Sequence, residues 1–124
     1  MSELIDEAIF SQLLEMDDND DHDFSKSLVI DYFVQVDESM EKFETLMKNK
    51  QFHDVAALGH YLKGSSAGIG ALHIREICES IQHYENHIKS GKDGELYLKN
   101  LIDELKGTIE PTKKELHGRL GISY

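Results

Sequence analysis

Apolar residues recur at intervals of three and four along almost the whole chain, the spacing of one helix face. Val, Ile and Thr do not fall into the alternating runs that a strand needs. The spacing predicts a first helix over Ile5 to Met16, with Ile5, Ile9, Leu13 and Met16 on one stripe. The run "DDNDDHD" (Asp17 to Asp23) follows, and acids there suit both a turn and the positive N-terminal end of the next helix. A long second helix is expected from about Phe24 to Lys50, its inner stripe being Val29, Phe33, Val36, Met40, Phe43 and Met47. A third runs from Phe52 to Ala67 with Val55, Leu58 and Leu62 inward, ended by the glycines at 68 and 70. A fourth runs from Leu72 to Lys89 with Ile74, Ile77, Cys78, Ile81 and Ile88 inward, broken by "SGKDG" (Ser90 to Gly94). A fifth starts near Glu95 with Tyr97, Leu98, Leu101, Ile102 and Leu105 inward. Gly107 and Pro111 are expected to bend or interrupt it before Leu116 and Leu120. Four amphipathic helices on short loops, preceded by a shorter one, predict an all-α, antiparallel four-helix bundle with a short extra N-terminal helix.

Composition narrows the function classes. The chain has 124 residues, of which 40 % are apolar and 30 % charged, which suits one domain over residues 1–124 with one core. Its formal charge of −11 disfavours nucleic acid and anionic membrane as partners, since both need clustered Lys and Arg. The lone cysteine, Cys78, precludes an internal disulfide and fits a reducing compartment. The apolar runs are too short to span a bilayer. "MSELIDEAIF" has acids where a secretion signal has a basic start. The expectation is a cytoplasmic and nuclear monomer.

The third helix carries the candidate chemistry. At about 100° per residue, Val55, Leu58 and Leu62 share a narrow arc and His60 points nearly opposite it. Lys63 and Gly64 flank His60 at about 60° and 40° to either side. Neutral imidazole is a good nucleophile near pH 7. A phosphoryl group on Nε2 carries about two negative charges, which a lysine one turn along can attract. A glycine one turn along gives another protein room to approach. It is equally the residue of a close helix crossing, and a lone surface histidine commonly has no chemical role.

"HYLKGSSAGIGA" resembles the active-site motif of histidine-containing phosphotransfer (HPt) proteins, with His60, Lys63, Gly64, Ser65, Ser66 and Gly70 all in place. "MDDNDDHDFSKSLVIDYFVQ" (Met16 to Gln35) looks like the first-to-second helix junction of the fungal osmosensing phosphorelay intermediates. "ICESIQ" (Ile77 to Gln82) looks like the helix facing their active histidine. The resemblance covers most of residues 4–90. It implies a carrier without kinase activity of its own, which accepts a phosphoryl group from the receiver-domain aspartate of a hybrid sensor histidine kinase. It then passes the group to the receiver domain of a response regulator. His60 would be the phosphoacceptor, Lys63 would stabilise the phosphate and Gly64 would admit the receiver. Gln82 matches a family glutamine that orients the imidazole by a hydrogen bond. The protein would need no cofactor of its own, Mg²⁺ being supplied on the receiver. One departure is Asn86, where fungal relatives can carry an Arg that would support the phosphate.

A second stripe on the long helix, Phe24, Leu28, Asp31 and Gln35, lies roughly 115° from the Val29–Phe33–Val36 stripe. The first helix could simply cover it. The resemblance implies instead that receivers dock there, on an apolar rim of Ile9, Leu13 and Met16 beside Phe24 and Leu28, with Asp31 and Gln35 at its polar edge. Tyr61 and Ser65, next to His60, complete the candidate contacts.

Other signals carry less. Read as a calcium loop from Asp17, the acidic run has His22 where the sharp-turn glycine belongs and Leu28 where the bidentate Glu belongs. His83 and His87 are four apart but lack an evident third metal ligand. Cys78 lies on an apolar stripe and reads as core. Ser65 and Ser66 have no base placed to activate them. Two alternatives to a phosphocarrier stand: an acidic helical adaptor that binds signalling domains without chemistry, and a kinase-attached domain of the same fold. An intact His60 with Lys63 and Gly64 disfavours the first, and the lack of an ATP-binding segment disfavours the second.

Overall fold

The computed structural model describes residues 3–17, 20–87 and 91–122. Its helices are α1 (Glu7–Glu15), α2 (Asp23–Lys48), α3 (Phe52–Ile69), α4 (Leu72–Gln82) and α5 (Gly91–Leu120), with a 3-10 helix over Tyr84–His87. α2 lies against α3 and α5, α4 lies against the same two, and α1 is laid on α3. Short connections make successive helices antiparallel. The result is the expected four-helix bundle with a short leading helix. Among the described residues no helix is long and apolar enough to cross a membrane.

The inner stripes are those that the spacing predicts. Val29, Phe33, Val36 and Phe43 on α2 meet Val55 and Leu62 on α3, with Ile74, Ile77, Cys78 and Ile81 on α4 and Leu98, Ile102 and Leu105 on α5. Burying each such aliphatic or aromatic side chain contributes about 1.5–3 kcal/mol. Ile88 lies outside the described residues. Burial pushes the Cys78 thiol up to about 12, so it stays protonated and packs as a small apolar group.

Three boundaries differ from expectation. α4 ends at Gln82 and gives way to the 3-10 helix, although the apolar spacing runs on through Tyr84, itself buried. α5 begins at Gly91, and neither Gly107 nor Pro111 interrupts it. A helical proline removes one backbone hydrogen bond and crowds the carbonyl four residues back, which here belongs to Gly107. Both residues are exposed, so that carbonyl faces solvent. On the buried side Thr112 Oγ1 donates to the Thr108 carbonyl at 2.8 Å. In α1 the inward residues are Phe10 and Leu13, while Ile9 is half-buried and Met16 is 62 % exposed. Ile5 precedes the helix, bridges to Ala71 and is buried there.

Several contacts tie α1 down. Asp6 caps it, accepting from the Ile9 N–H at 3.2 Å, and the Asp6 N–H donates to the Gly70 carbonyl at 2.8 Å. Gly70 closes α3 at φ +87, which glycine tolerates, and a Cβ there would stand 3.1 Å from the Asp6 carbonyl. At the same end of α1, Arg119 pairs with Glu7 and Glu115, its guanidinium 5.6 Å from the Phe10 ring centre. The start of α2 is capped from a distance. His22 holds the cap position at φ +57 without a side-chain cap bond. Instead Asp17 accepts from the Ser25 N–H at 2.9 Å, the Ser25 hydroxyl at 2.7 Å and His22 Nδ1 at 2.8 Å. Burial opposes charge on Asp17, but these hydrogen bonds outweigh it and hold the carboxyl below the ordinary carboxylate range.

Two outcomes follow from these contacts. Asp17→Ala removes the distant cap. It should speed amide exchange in the first turn of α2, at Phe24 and Ser25, by about tenfold or more, while the core of α3 keeps its protection. Exchange followed by NMR checks this. The second concerns His117, buried against Phe33 with ring centres 6.1 Å apart. Burial first and Lys113 second push its pKa below the ordinary value, against a smaller opposite pull from Glu110. The unfolded imidazole binds a proton near the ordinary value of about 6.5, and the folded one only at lower pH. Its contribution is therefore complete above about pH 6.5 and is lost as pH falls from there through the folded value. His117→Phe should narrow the loss of urea stability between about pH 7.5 and pH 5.5. An undiminished loss in the variant would show that other groups carry it.

Candidate functional site

Helix α3 turns Val55, Gly59, Leu62, Ser66 and Ile69 inward, which leaves His60 and Gly64 exposed, as the helical arithmetic predicts. Tyr61 is 53 % exposed, and Lys63 and Ser65 are half-buried. A Cβ on Gly64 would meet nothing within 4 Å. Of the two readings open from sequence, Gly64 is thus not the residue of a helix crossing. That crossing lies at Gly59, where a Cβ would stand 2.8 Å from Ile81 Cγ2 and 3.1 Å from the Cys78 carbonyl. The contact brings α4 against α3 one residue before His60 and one residue before Gln82.

The expected hydrogen bond from Gln82 to the His60 ring is not formed. Gln82 Oε1 is buried with no hydrogen-bond partner among the described residues. His60 is exposed on the outer face of α3. Lys63 takes part in no ion pair among the described residues, so its ammonium is not committed elsewhere. Asn86 belongs to the 3-10 helix, its N–H donating to the His83 carbonyl at 3.0 Å. It therefore does not continue the α4 face that carries Gln82. His83 and His87 are likewise not on one α-helix, and the His87 ring lies 5.8 Å from the Tyr97 ring.

The residues expected to border the site divide. Phe24, Asp31 and Gln35 are exposed on α2, with Leu28 half-buried beside them. Ile9 lies on α1 and Met16 directly follows it. Leu13 is corrected: it is 5 % exposed, part of the core and unable to offer a docking surface. The apolar rim is therefore Ile9, Met16, Phe24 and Leu28. Ser65 Oγ points back to the Tyr61 carbonyl at a weak 3.5 Å.

Sequence reasoning missed three participants. Asp17 reads from sequence only as part of an acidic turn, yet it bonds Ser25 and so ties the end of α1 to the start of α2. Tyr32 reaches α3 through a hydrogen bond of 2.5 Å between its hydroxyl and that of Ser66, both residues buried. Burial pushes the Tyr32 phenol pKa well up, so this hydroxyl keeps its proton. Gly59 had no explanation from sequence. Its signal was a glycine at the inward position of a helix, against a run of isoleucines at the matching spacing in the next one.

The site is thus an exposed imidazole on α3, a lysine without an ion pair among the described residues on one flank, and no side chain on the other. Known proteins resemble this chain in sequence and in fold. Residues 27–108 match the family model described as the Hpt domain. Multistep phosphorelay regulator 1 of Schizosaccharomyces pombe is 46 % identical over 82 residues, which is 66 % of this chain and 28 % of that protein. Phosphorelay intermediate protein YPD1 of Candida albicans is 41 % identical over 87 residues, 70 % of this chain and 47 % of that protein. The matched part of this chain thus spans less than half of either relative. Among solved structures, yeast Ypd1 superposes with a TM-score of 0.87 at 21 % identity, covering 99 % of this chain and 98 % of the other. Saccharomyces cerevisiae Ypd1 in complex with the receiver domain of the response regulator Ssk1 gives 0.87 at 24 % identity, with 98 % and 97 % covered. These likenesses are to the fold of those structures. The family match, spanning more than half of the sequence, makes this chain a member of the Hpt-domain family.

Proposed function

We propose that the chain is a phosphoryl carrier of a multistep His–Asp relay, with no kinase activity of its own. One observation carries this reading: in a chain of the Hpt family, His60 stands outward on α3 between Lys63 and a glycine whose missing side chain leaves open space. In the forward step the Nε2 lone pair attacks the phosphorus of a receiver's aspartyl phosphate. The N–P bond forms, the acyl P–O bond breaks, and its electron pair returns to the aspartate carboxylate. The Nδ1 proton stays on the ring. The reverse chemistry delivers the group to the aspartate of a second receiver. Mg²⁺ held by the receiver supplies most of the charge stabilisation, and Lys63 adds to it from this side. The donor is the receiver of a hybrid sensor histidine kinase, and the acceptor is a response regulator. An osmotic or other stress input, and passage between cytoplasm and nucleus, belong to the same reading and rest on the fungal resemblance.

Receivers dock on Ile9, Met16, Phe24 and Leu28, with Asp31, Gln35, Tyr61 and Ser65 around them. A small apolar patch with a polar rim suits transient binding to several partners in turn. That the S. cerevisiae relative is seen with a receiver domain supports this choice of partner.

Incubation with a phosphorylated receiver should label the protein, and His60→Gln should abolish the label; labelling of that variant sinks the assignment. Lys63→Ala should slow formation of phosphohistidine or shorten its lifetime by roughly two- to fivefold, matching a half-screened charge contact of about 0.5–1 kcal/mol. Unchanged formation and decay would remove Lys63 from the mechanism.

A further inference from the structure

Gly59 faces inward, away from any docking partner, and the bundle around it leaves no room for a side chain. A Cβ there would sit 2.8 Å from Ile81 Cγ2, 3.1 Å from Ile81 Cβ and 3.1 Å from the Cys78 carbonyl. Two of these belong to groups that cannot swing aside: a main-chain carbonyl and the first side-chain carbon of a fully buried residue. A glycine inside a helix is unfavourable for that helix, so its presence here reflects the closeness of α4. The spacing at this level has a consequence for the site. His60 follows Gly59, Gln82 follows Ile81, and Gln82 Oε1 is a buried acceptor with no hydrogen-bond partner among the described residues.

We infer that Gly59 is a positioning residue for phosphotransfer: it holds α4 close enough to α3 for Gln82 Oε1 to accept the Nδ1–H of His60 once the ring turns inward. That hydrogen bond fixes the proton on Nδ1 and leaves the Nε2 lone pair free for phosphorus. The inference rests on the phosphotransfer reading of His60. An alanine at 59 must move the Ile81 contact from 2.8 Å to an ordinary 3.4 Å or more, widening the gap between the two helices. Misplacements of this order in a reacting pair slow transfer by roughly ten- to a hundredfold. Gly59 is buried and faces only α4, so partner affinity is not what it governs.

The test uses the full chain and a phosphorylated receiver. Transfer is followed over a range of receiver concentrations, and the tautomer of His60 is read from its ring ¹⁵N shifts. Gly59→Ala should lower the saturating rate about tenfold or more, leave the half-saturating receiver concentration within about twofold, and reduce the Nδ1–H tautomer. Adding Ile81→Ala removes the 2.8 Å contact but leaves those at 3.1 Å. The double variant should therefore recover most of the rate, to roughly threefold below wild type. Gly107→Ala, at an exposed helical glycine with nothing within 4 Å, is the control for helix propensity and should match wild type throughout. A saturating rate for Gly59→Ala within twofold of wild type, or an unchanged tautomer, overturns the inference. If Gly59→Ala alone is too unstable to assay, the double variant is compared with Ile81→Ala alone: the contacts left at 3.1 Å should make the double variant roughly threefold slower, and equal rates and tautomers in the two overturn the inference. Failure of wild-type protein to accept phosphoryl groups would instead sink the carrier reading, while the tautomer comparison still judges Gly59.

Discussion

Helix α3 has to satisfy two opposed demands over four turns, and the contact at Gly59 is where they meet. Its inner face packs against α1, α2 and α4, while its outer face must stay open around His60. Consecutive residues on a helix point about 100° apart, so a core contact at 59 leaves His60 facing outward. The closeness at 59 also decides what borders His60 on the α4 side, because Ile81 is locked beneath it. The glycine four residues later works in the opposite sense: Gly64 has open space where Gly59 has a wall. Two glycines in one helix thus do different physical work. One admits a neighbouring helix, and the other leaves the surface beside His60 clear.

The junction of α1 with α2 shows how an acidic run can be structural. Asp17 is the residue of that run that turns inward. Three hydrogen bonds to a buried carboxylate are enough to outweigh its desolvation, and they replace the cap that His22 does not provide. Because Met16 and Phe24 are the chain neighbours of Asp17 and Ser25, the cap also orders the backbone that carries two exposed apolar side chains. Exposed apolar groups are better suited to binding when they are already ordered, since less entropy is lost on contact.

Much of this was legible in the spacing of apolar residues. Burial of Val29, Phe33, Val36, Ile74, Ile77 and Ile81, and the outward turn of His60, follow from a period that the whole bundle obeys. The misreadings arose where local rules compete with tertiary packing. Pro111 reads as a breaker, but a breaker on the solvent side of a long helix loses a bond that water can replace. Leu13 reads equally well as rim or core, and which it is depends on how α1 sits on α3, fixed by contacts such as Asp6 with Gly70 that no short-range pattern contains. Gly59 was opaque for the same reason. A glycine marks the absence of a side chain, and only the neighbour reveals whether that absence is filled.

The hydrogen bond between Tyr32 and Ser66 supplies what apolar packing alone leaves loose, the register of α2 against α3. Apolar side chains tolerate sliding, since one aliphatic contact can replace another at similar energy. A slide of one helical turn, about 5.4 Å, would bury two hydroxyls without partners at a cost of about 1–3 kcal/mol each. Such a pair adds little to stability over an apolar one, but it favours a single alignment. Tyr32 stands between Leu28 and Gln35 on its helix, and Ser66 lies three residues beyond Lys63. Fixing this one pair therefore fixes the distance from the exposed face of α2 to His60. Every residue on that face is then held at a constant reach from the imidazole.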